Sequence, residues 1–167
     1  MQRATVYAGT FDVLTFGHLW MIERGAQLFD RLIVAIGVNP KKQCLFSIED
    51  RVEALQKSTT EFRNVEVATF PFELLIHYAS SVDAQNILRG IRDENDYRFE
   101  SAMRNINADL NPDITAVFLM PPRELKEVSS SMVKELVGSD GWEKRVEPFV
   151  PYPVFSKLKE AHERKII

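Results

Sequence analysis

The hydrophobic positions of this chain change period repeatedly, from short β-branched runs to stretches in which apolar residues recur every three or four positions. The runs Ala4 to Tyr7, Leu32 to Val38, Val65 to Phe70, Asn86 to Leu88 and Thr115 to Leu119 predict strands. Between them the spacing predicts helices at about His18 to Phe29, Ile48 to Thr59, Phe72 to Ser80, Tyr97 to Asp109 and Ser130 to Val137. Ser47-Ile48-Glu49-Asp50 supplies an N-cap followed by acids in the first turn, and Gly138 stands where a helix C-cap belongs. Alternation of this kind implies right-handed βαβ crossovers. The fold expected is therefore α/β, a Rossmann-like doubly wound five-stranded parallel sheet with helices on both faces. From about residue 139 the pattern breaks: Trp142, Pro148, Pro151 and Pro153 mark an irregular crossing, and Val154 to Lys165 has the spacing of one last helix.

At 167 residues the chain is expected to form a single domain, with no internal repeat, linker or low-complexity segment. Its 21 basic and 24 acidic residues leave a net charge of −3, which offers no footprint for a nucleic-acid backbone. An anionic ligand must then be met by basic residues gathered in one cleft. The single cysteine, Cys44, excludes an intrachain disulfide and fits a reducing compartment. No apolar run reaches the length of a membrane span, and Met1-Gln2-Arg3-Ala4-Thr5 enters a strand without the apolar core of a signal peptide, so a soluble cytoplasmic protein is expected.

A doubly wound sheet binds its ligand outside the carboxyl ends of the strands, where the strand order reverses. The candidate motifs fall there. Past the first strand comes Gly9-Thr10-Phe11-Asp12, then Thr15-x-Gly-His18 at a helix start; past the second comes Asn39-Pro40-Lys41-Lys42; past the fourth, Arg89-Gly90-Ile91-Arg92; past the fifth, Pro121 to Ser131, ending in Ser129-Ser130-Ser131. A Gly-containing loop running into a helix aims backbone N–H groups at one point, where a phosphate chain is held. Together these loops bring His, Lys, two Arg and a serine cap to one rim. Nucleotidyl transfer requires such a set, because its barrier lies in aligning two polyanions and stabilising charge on the transferred phosphate. Each motif also has a plainer reading. His18 could be only a helix cap, Lys41 and Lys42 a solvated pair, Arg89 and Arg92 structural partners of Asp93, Glu94 and Asp96, and the serines only a cap. Among the chain's three histidines and one cysteine there is no HExxH, Cys pair or His cluster, so no protein-built metal site is expected.

The Thr-x-Gly-His pattern resembles that of the nucleotidylyltransferases. With Lys42, Arg89-Gly-Ile-Arg92, Glu100, Val117-Phe118-Leu119-Met120-Pro121 and Ser129-Ser130-Ser131-Met132-Val133-Lys134-Glu135, the chain is similar to the bacterial phosphopantetheine adenylyltransferases from about residue 3 to about residue 137; the rest matches poorly. The resemblance implies adenylyl transfer from ATP to 4'-phosphopantetheine, giving dephospho-coenzyme A and pyrophosphate, with Mg²⁺ accompanying ATP and a homo-oligomer, a hexamer, as the assembly. It implies that His18 stabilises the transferring phosphate, that Thr10 and Lys42 position the acceptor's phosphate, and that Leu75 and Arg89 line the acceptor side. Arg92 would grip the leaving phosphates, aided by Ser129, Ser130 and Ser131. Thr10, Phe11, His18, Gly90, Ile91 and Glu100 would meet the nucleotide, as would the wrapping segment Leu125, Lys126, Glu127 and Val128. That last segment departs from the family, which places two aromatic residues there, and Val13 replaces a proline. The departures leave open a relative using CTP or another phosphorylated acceptor, or a nucleotide-binding module without turnover. Retention of His18, Lys42 and Arg92 together disfavours the module, since a pure binder has no need of a transition-state histidine.

Overall fold

The computed structural model describes residues 3–38, 43–71 and 73–164. Five parallel strands, β1 (Ala4–Gly9), β2 (Arg31–Gly37), β3 (Val65–Phe70), β4 (Asn86–Gly90) and β5 (Thr115–Leu119), form one sheet in the order β3-β2-β1-β4-β5. The order reverses between β1 and β4, where Val6 lies between Ile33 and Ile87. The helices are α1 (Phe16–Leu28), α2 (Ile48–Ser58), α3 (Leu75–Ser81), α4 (Glu94–Leu110), α5 (Ser130–Leu136), α6 (Trp142–Val146) and α7 (Tyr152–Glu163). This is the doubly wound parallel architecture that the alternation predicts.

Strand side chains alternate between two cores, as a period of two requires. Tyr7, Leu32, Val34, Ile36 and Leu88 point to one face, against Met21 and Ile22 of α1, Leu55 of α2, Val133 of α5 and Leu158 of α7. Ala4, Val6, Ala8, Ile33, Ala35 and Ile87 point to the other, against Ile76 and Ala79 of α3. Fully burying a side chain such as Ile22 or Leu158 stabilises by about 1.5–3 kcal/mol relative to leaving it exposed. The faces are not equally filled, for Glu100 is the only buried residue of the 17 in α4.

Several boundaries differ from the sequence expectation. The apolar runs end at Tyr7 and Leu88, whereas the strands continue to Gly9 and Gly90, with Gly9 opposite Ile36 and Arg89 opposite Phe118. Main-chain pairing needs no apolar side chain, so Arg89 and Gly90 belong to β4 rather than to a loop past it. Helix α4 begins at Glu94 rather than Tyr97, because Asp93 caps it by accepting from the Asp96 amide at 2.9 Å and acids favour the first turn. Helix α3 begins at Leu75, and Phe72, its expected start, lies outside the described residues. The irregular crossing after residue 139 is in fact α6 followed by a 3-10 turn at Glu147–Phe149, with Trp142 buried.

Candidate active site

Two adjoining cavities open at the carboxyl end of the sheet, beside the β1/β4 reversal. The first, about 560 Å³, is lined by Thr10, Leu74, Leu75, Phe99, Met103 and Ile106 among others, and lies between α4 and the sheet face that carries Ile87. The second, about 460 Å³, is lined by Thr15, His18, Gly90, Arg92, Leu125 and Ser129 to Ser131 among others. Ala8, Gly9, Arg89, Phe99 and Glu100 border both, so the cavities share a wall.

The strand-to-helix turn sets the histidine. Thr15 is the N-cap of α1 and accepts from the His18 amide, while the His18 ring closes the capping box in the place usually taken by Glu or Gln. His18 Nδ1 lies 3.1 Å from the Thr15 amide, a group that can only donate. The Nδ1 lone pair is thereby engaged, the proton resides on Nε2, and Nε2–H is the ring's remaining donor. Burial, reinforced by the Arg92 charge, lowers the His18 pKa from 6.5 to about 4, so the imidazole is neutral at pH 7. Cap and candidate catalyst are one residue here, because capping fixes the tautomer that a phosphate requires.

The ring of Phe11, a residue expected to meet the nucleotide, is buried edge-on to Tyr7 and His18, at centroid distances of 5.5 and 5.3 Å. It takes φ 48°, a left-handed conformation uncommon for a bulky residue, and its ring fills the space where a Cβ on Gly9 would stand, 3.1 Å away. Ring and glycine thus form a support behind the imidazole.

The two arginines are both engaged. Arg89 grips Glu100 through both nitrogens of its fork, Nε lying 2.9 Å from Oε2, and donates to the Ala8 carbonyl at 3.2 Å. This pair forms part of the shared wall, so each of the two residues borders both cavities. Arg92 Nε and its own amide reach Asp96 Oδ2 at 2.9 and 3.0 Å, as the plainer reading anticipated, yet Arg92 still lines the cavity beside His18. The guanidinium holds the Asp96 carboxyl below the usual carboxylate range. Ile91 is buried, its amide donating to Leu119, and is not among the lining residues.

The three serines divide their work. Ser129 caps α5 by accepting from the Met132 amide at 3.2 Å, the Ser130 hydroxyl donates to the Val13 carbonyl at 2.6 Å, and Ser131 is exposed at the cavity rim. Ahead of them Leu125 and Val128 line the cavity, whereas Lys126 and Glu127 are exposed and do not. The two charged replacements at the departure from the family therefore lie off the cavity wall. Lys42 lies outside the described residues.

Residues with no role assigned from sequence complete the site. Phe99, Met103, Ile106 and Leu110 form one stripe of α4 along the first cavity, and their spacing of four, three and four was the available signal. Behind Thr10 lie two buried polar residues, Asp12 and Arg51, the former paired with the exposed Lys134, an arrangement that no periodicity reveals.

Comparison with known proteins gives the chain's family. The cytidylyltransferase-like family matches residues 6–136. A phosphopantetheine adenylyltransferase of Chromobacterium violaceum is 53% identical over 158 residues, covering 95% of this chain and 96% of the relative. The chain belongs to the phosphopantetheine adenylyltransferase family. Another member, from Neisseria meningitidis, is 49% identical over 163 residues, covering 98% of this chain and 96% of its own. These alignments run past residue 137, so the resemblance extends into the C-terminal helices that motif comparison left out. The solved structure of Plasmodium falciparum nicotinic acid mononucleotide adenylyltransferase, complexed with NaAD, shares the fold at TM-score 0.68 and 10% identity, covering 100% of this chain and 99% of that one.

Proposed function

We propose that this chain transfers the adenylyl group of ATP to 4'-phosphopantetheine, giving dephospho-coenzyme A and pyrophosphate. The observation that carries this reading is the pair of unlike cavities joined at Gly9 and Arg89, with a neutral, tautomer-fixed histidine on the polar side. The cavity of about 560 Å³, lined mainly by apolar groups, suits the pantetheine arm. Triphosphate and adenosine suit the cavity of His18, Arg92 and the serines.

In the reaction, an oxygen of the acceptor's phosphate attacks the α-phosphorus of ATP. The bond from that phosphorus to the bridging oxygen breaks, and pyrophosphate leaves with the electron pair, so the protein forms no covalent bond. His18 Nε2–H donates to a non-bridging α-phosphate oxygen as charge gathers there. A neutral donor serves at any pH above its low pKa, without a proton being transferred. Arg92, held by Asp96, presents a fixed positive charge to the departing phosphates. Thr10, at the border of the acceptor cavity, and Lys42, by family resemblance, orient the nucleophile.

Mg²⁺ enters this proposal with ATP and neutralises phosphate charge. Asp96 and Glu100, the carboxylates lining the nucleotide cavity, are each gripped by an arginine. Phosphate oxygens and water are the fitting ligands for a hard cation that keeps part of its hydration shell. A hexamer and a cytoplasmic location belong to the same proposal through family resemblance. Among the described residues no helix is long and apolar enough to cross a membrane.

Pyrophosphate release tests the activity. It should require ATP and 4'-phosphopantetheine together. Release with CTP but not ATP, or none with either, would overturn the reading.

A further inference from the structure

Asp12 is buried, with 2% of its side chain exposed, yet it is charged and lies in none of the cavities described. Its two oxygens accept from the Leu45 and Phe46 amides at 2.9 and 3.0 Å, and one also takes the Lys134 ammonium of α5 at 3.1 Å. The return connection is Arg51 of α2, also buried, whose Nη1 donates to the Thr10 carbonyl at 2.9 Å while its Nε bridges the Phe46 and Ser47 carbonyls at 3.2 Å. The loop Thr10–Asp12 and the segment Leu45–Ser47 therefore clasp each other in both directions. A buried carboxylate is costly to desolvate unless fully bonded, and these bonds supply that compensation.

We propose that Asp12 is a positioning residue for the transfer reaction: its carboxylate fixes Thr10 at the acceptor cavity through the Arg51 clasp and, through Lys134, ties that loop to the serine helix of the nucleotide cavity. The Ser130 bond to Val13 is a second tie between the same loop and the same helix. Asp12 touches no reacting atom in this account. Its work is to hold the nucleophile's side and the leaving group's side in one frame, where small displacements are expensive in rate. The inference rests on the functional reading above, and its test has one arm that does not.

The test uses the full chain and compares Asp12→Asn with Lys134→Met. Asn can accept from one amide but turns an N–H toward the other, so Asp12→Asn should speed hydrogen exchange at Leu45 and Phe46 by about tenfold or more while interior β1 and β2 amides keep their protection. Its dissociation constant for 4'-phosphopantetheine, by calorimetry, should rise by about tenfold. Lys134→Met cuts only the tie to the helix. It should leave Leu45 and Phe46 exchange and 4'-phosphopantetheine binding within about twofold of wild type while lowering kcat severalfold, and Lys134→Arg should restore kcat. An Asp12→Asn protein with a lower thermal midpoint but unchanged exchange at those amides and unchanged acceptor binding would overturn the proposal. So would Lys134→Met reproducing the acceptor defect. Should wild type bind no 4'-phosphopantetheine, the functional reading fails, while exchange at Leu45 and Phe46 still decides the clasp.

Discussion

The two cavities share a wall and the same end of the sheet, yet they are built from opposite materials. On the side proposed for the nucleotide, short polar groups are held by bonds to their own neighbours: His18 by Thr15, Arg92 by Asp96, Ser130 by Val13. On the side proposed for the acceptor, α4 stands off the sheet and offers an apolar stripe, with Phe99 61% and Ile106 49% exposed. Charge transfer at phosphorus demands fixed donors, which a polar network provides. A flexible arm demands length and apolar surface, which an unfilled sheet face provides. The opposite sheet face, closed by α1, α2 and α7, supplies the packing that the acceptor face gives up.

The largest effect that sharpens this contrast is in stability. Leu158→Ala on the filled face should cost about 2–5 kcal/mol in urea unfolding, while Ile106→Ala on the open face should cost under about 1 kcal/mol. Equal losses would erase the distinction between the faces. Next comes turnover. His18→Ala should lower kcat by roughly a hundredfold while ATP binding changes little, because the bond it supplies is made chiefly in the transition state. Equal activity would remove His18 from the mechanism.

Arg92→Ala should weaken ATP by about tenfold and leave 4'-phosphopantetheine binding nearly unchanged, as calorimetric titration of each substrate would show. Loss of both affinities together would mean that the wall does not separate them.

A pH prediction follows from the lowered His18 pKa. The unfolded histidine takes a proton near pH 6.5 and the folded one near pH 4, so the unfolded state binds more protons between those values and stability falls as pH drops through that window. His18→Asn should flatten that part of the stability profile. In wild type the His18 ring resonances should show no titration near pH 6.5, and a midpoint there would contradict the capping-box assignment.

The smallest effect concerns the departure from the family. Leu125→Trp should tighten ATP roughly threefold by restoring an aromatic surface, and adding Glu127→Phe should contribute nothing further, since Glu127 is off the wall. A gain that appears only with Glu127→Phe would place that side chain against the nucleotide.

Strand and helix positions and the convergence of motifs were legible because hydrophobic period and Gly, Ser and Asp punctuation act locally, whereas the strand order came only with the fold. Boundaries at Gly9, Arg89 and Asp93 were less so, since pairing and capping continue through polar residues. Arg89 and Glu100 read as separate contacts because nothing in an eleven-residue separation announces a two-toothed ion pair. That the Phe11 ring would turn back onto Gly9 was equally hidden. The Asp12 clasp joins residues 33 and 122 positions apart, and only the fold brings them together.

The division of substrates between the cavities is tested most directly by titrating each substrate alone into uniformly ¹⁵N-labelled protein and following amide shifts. The account predicts that 4'-phosphopantetheine perturbs Thr10, Leu75, Met103 and Ile106, and that ATP with Mg²⁺ perturbs His18, Gly90, Arg92 and Ser131. Shifts in the reverse assignment, or the same set moved by both ligands, would contradict it.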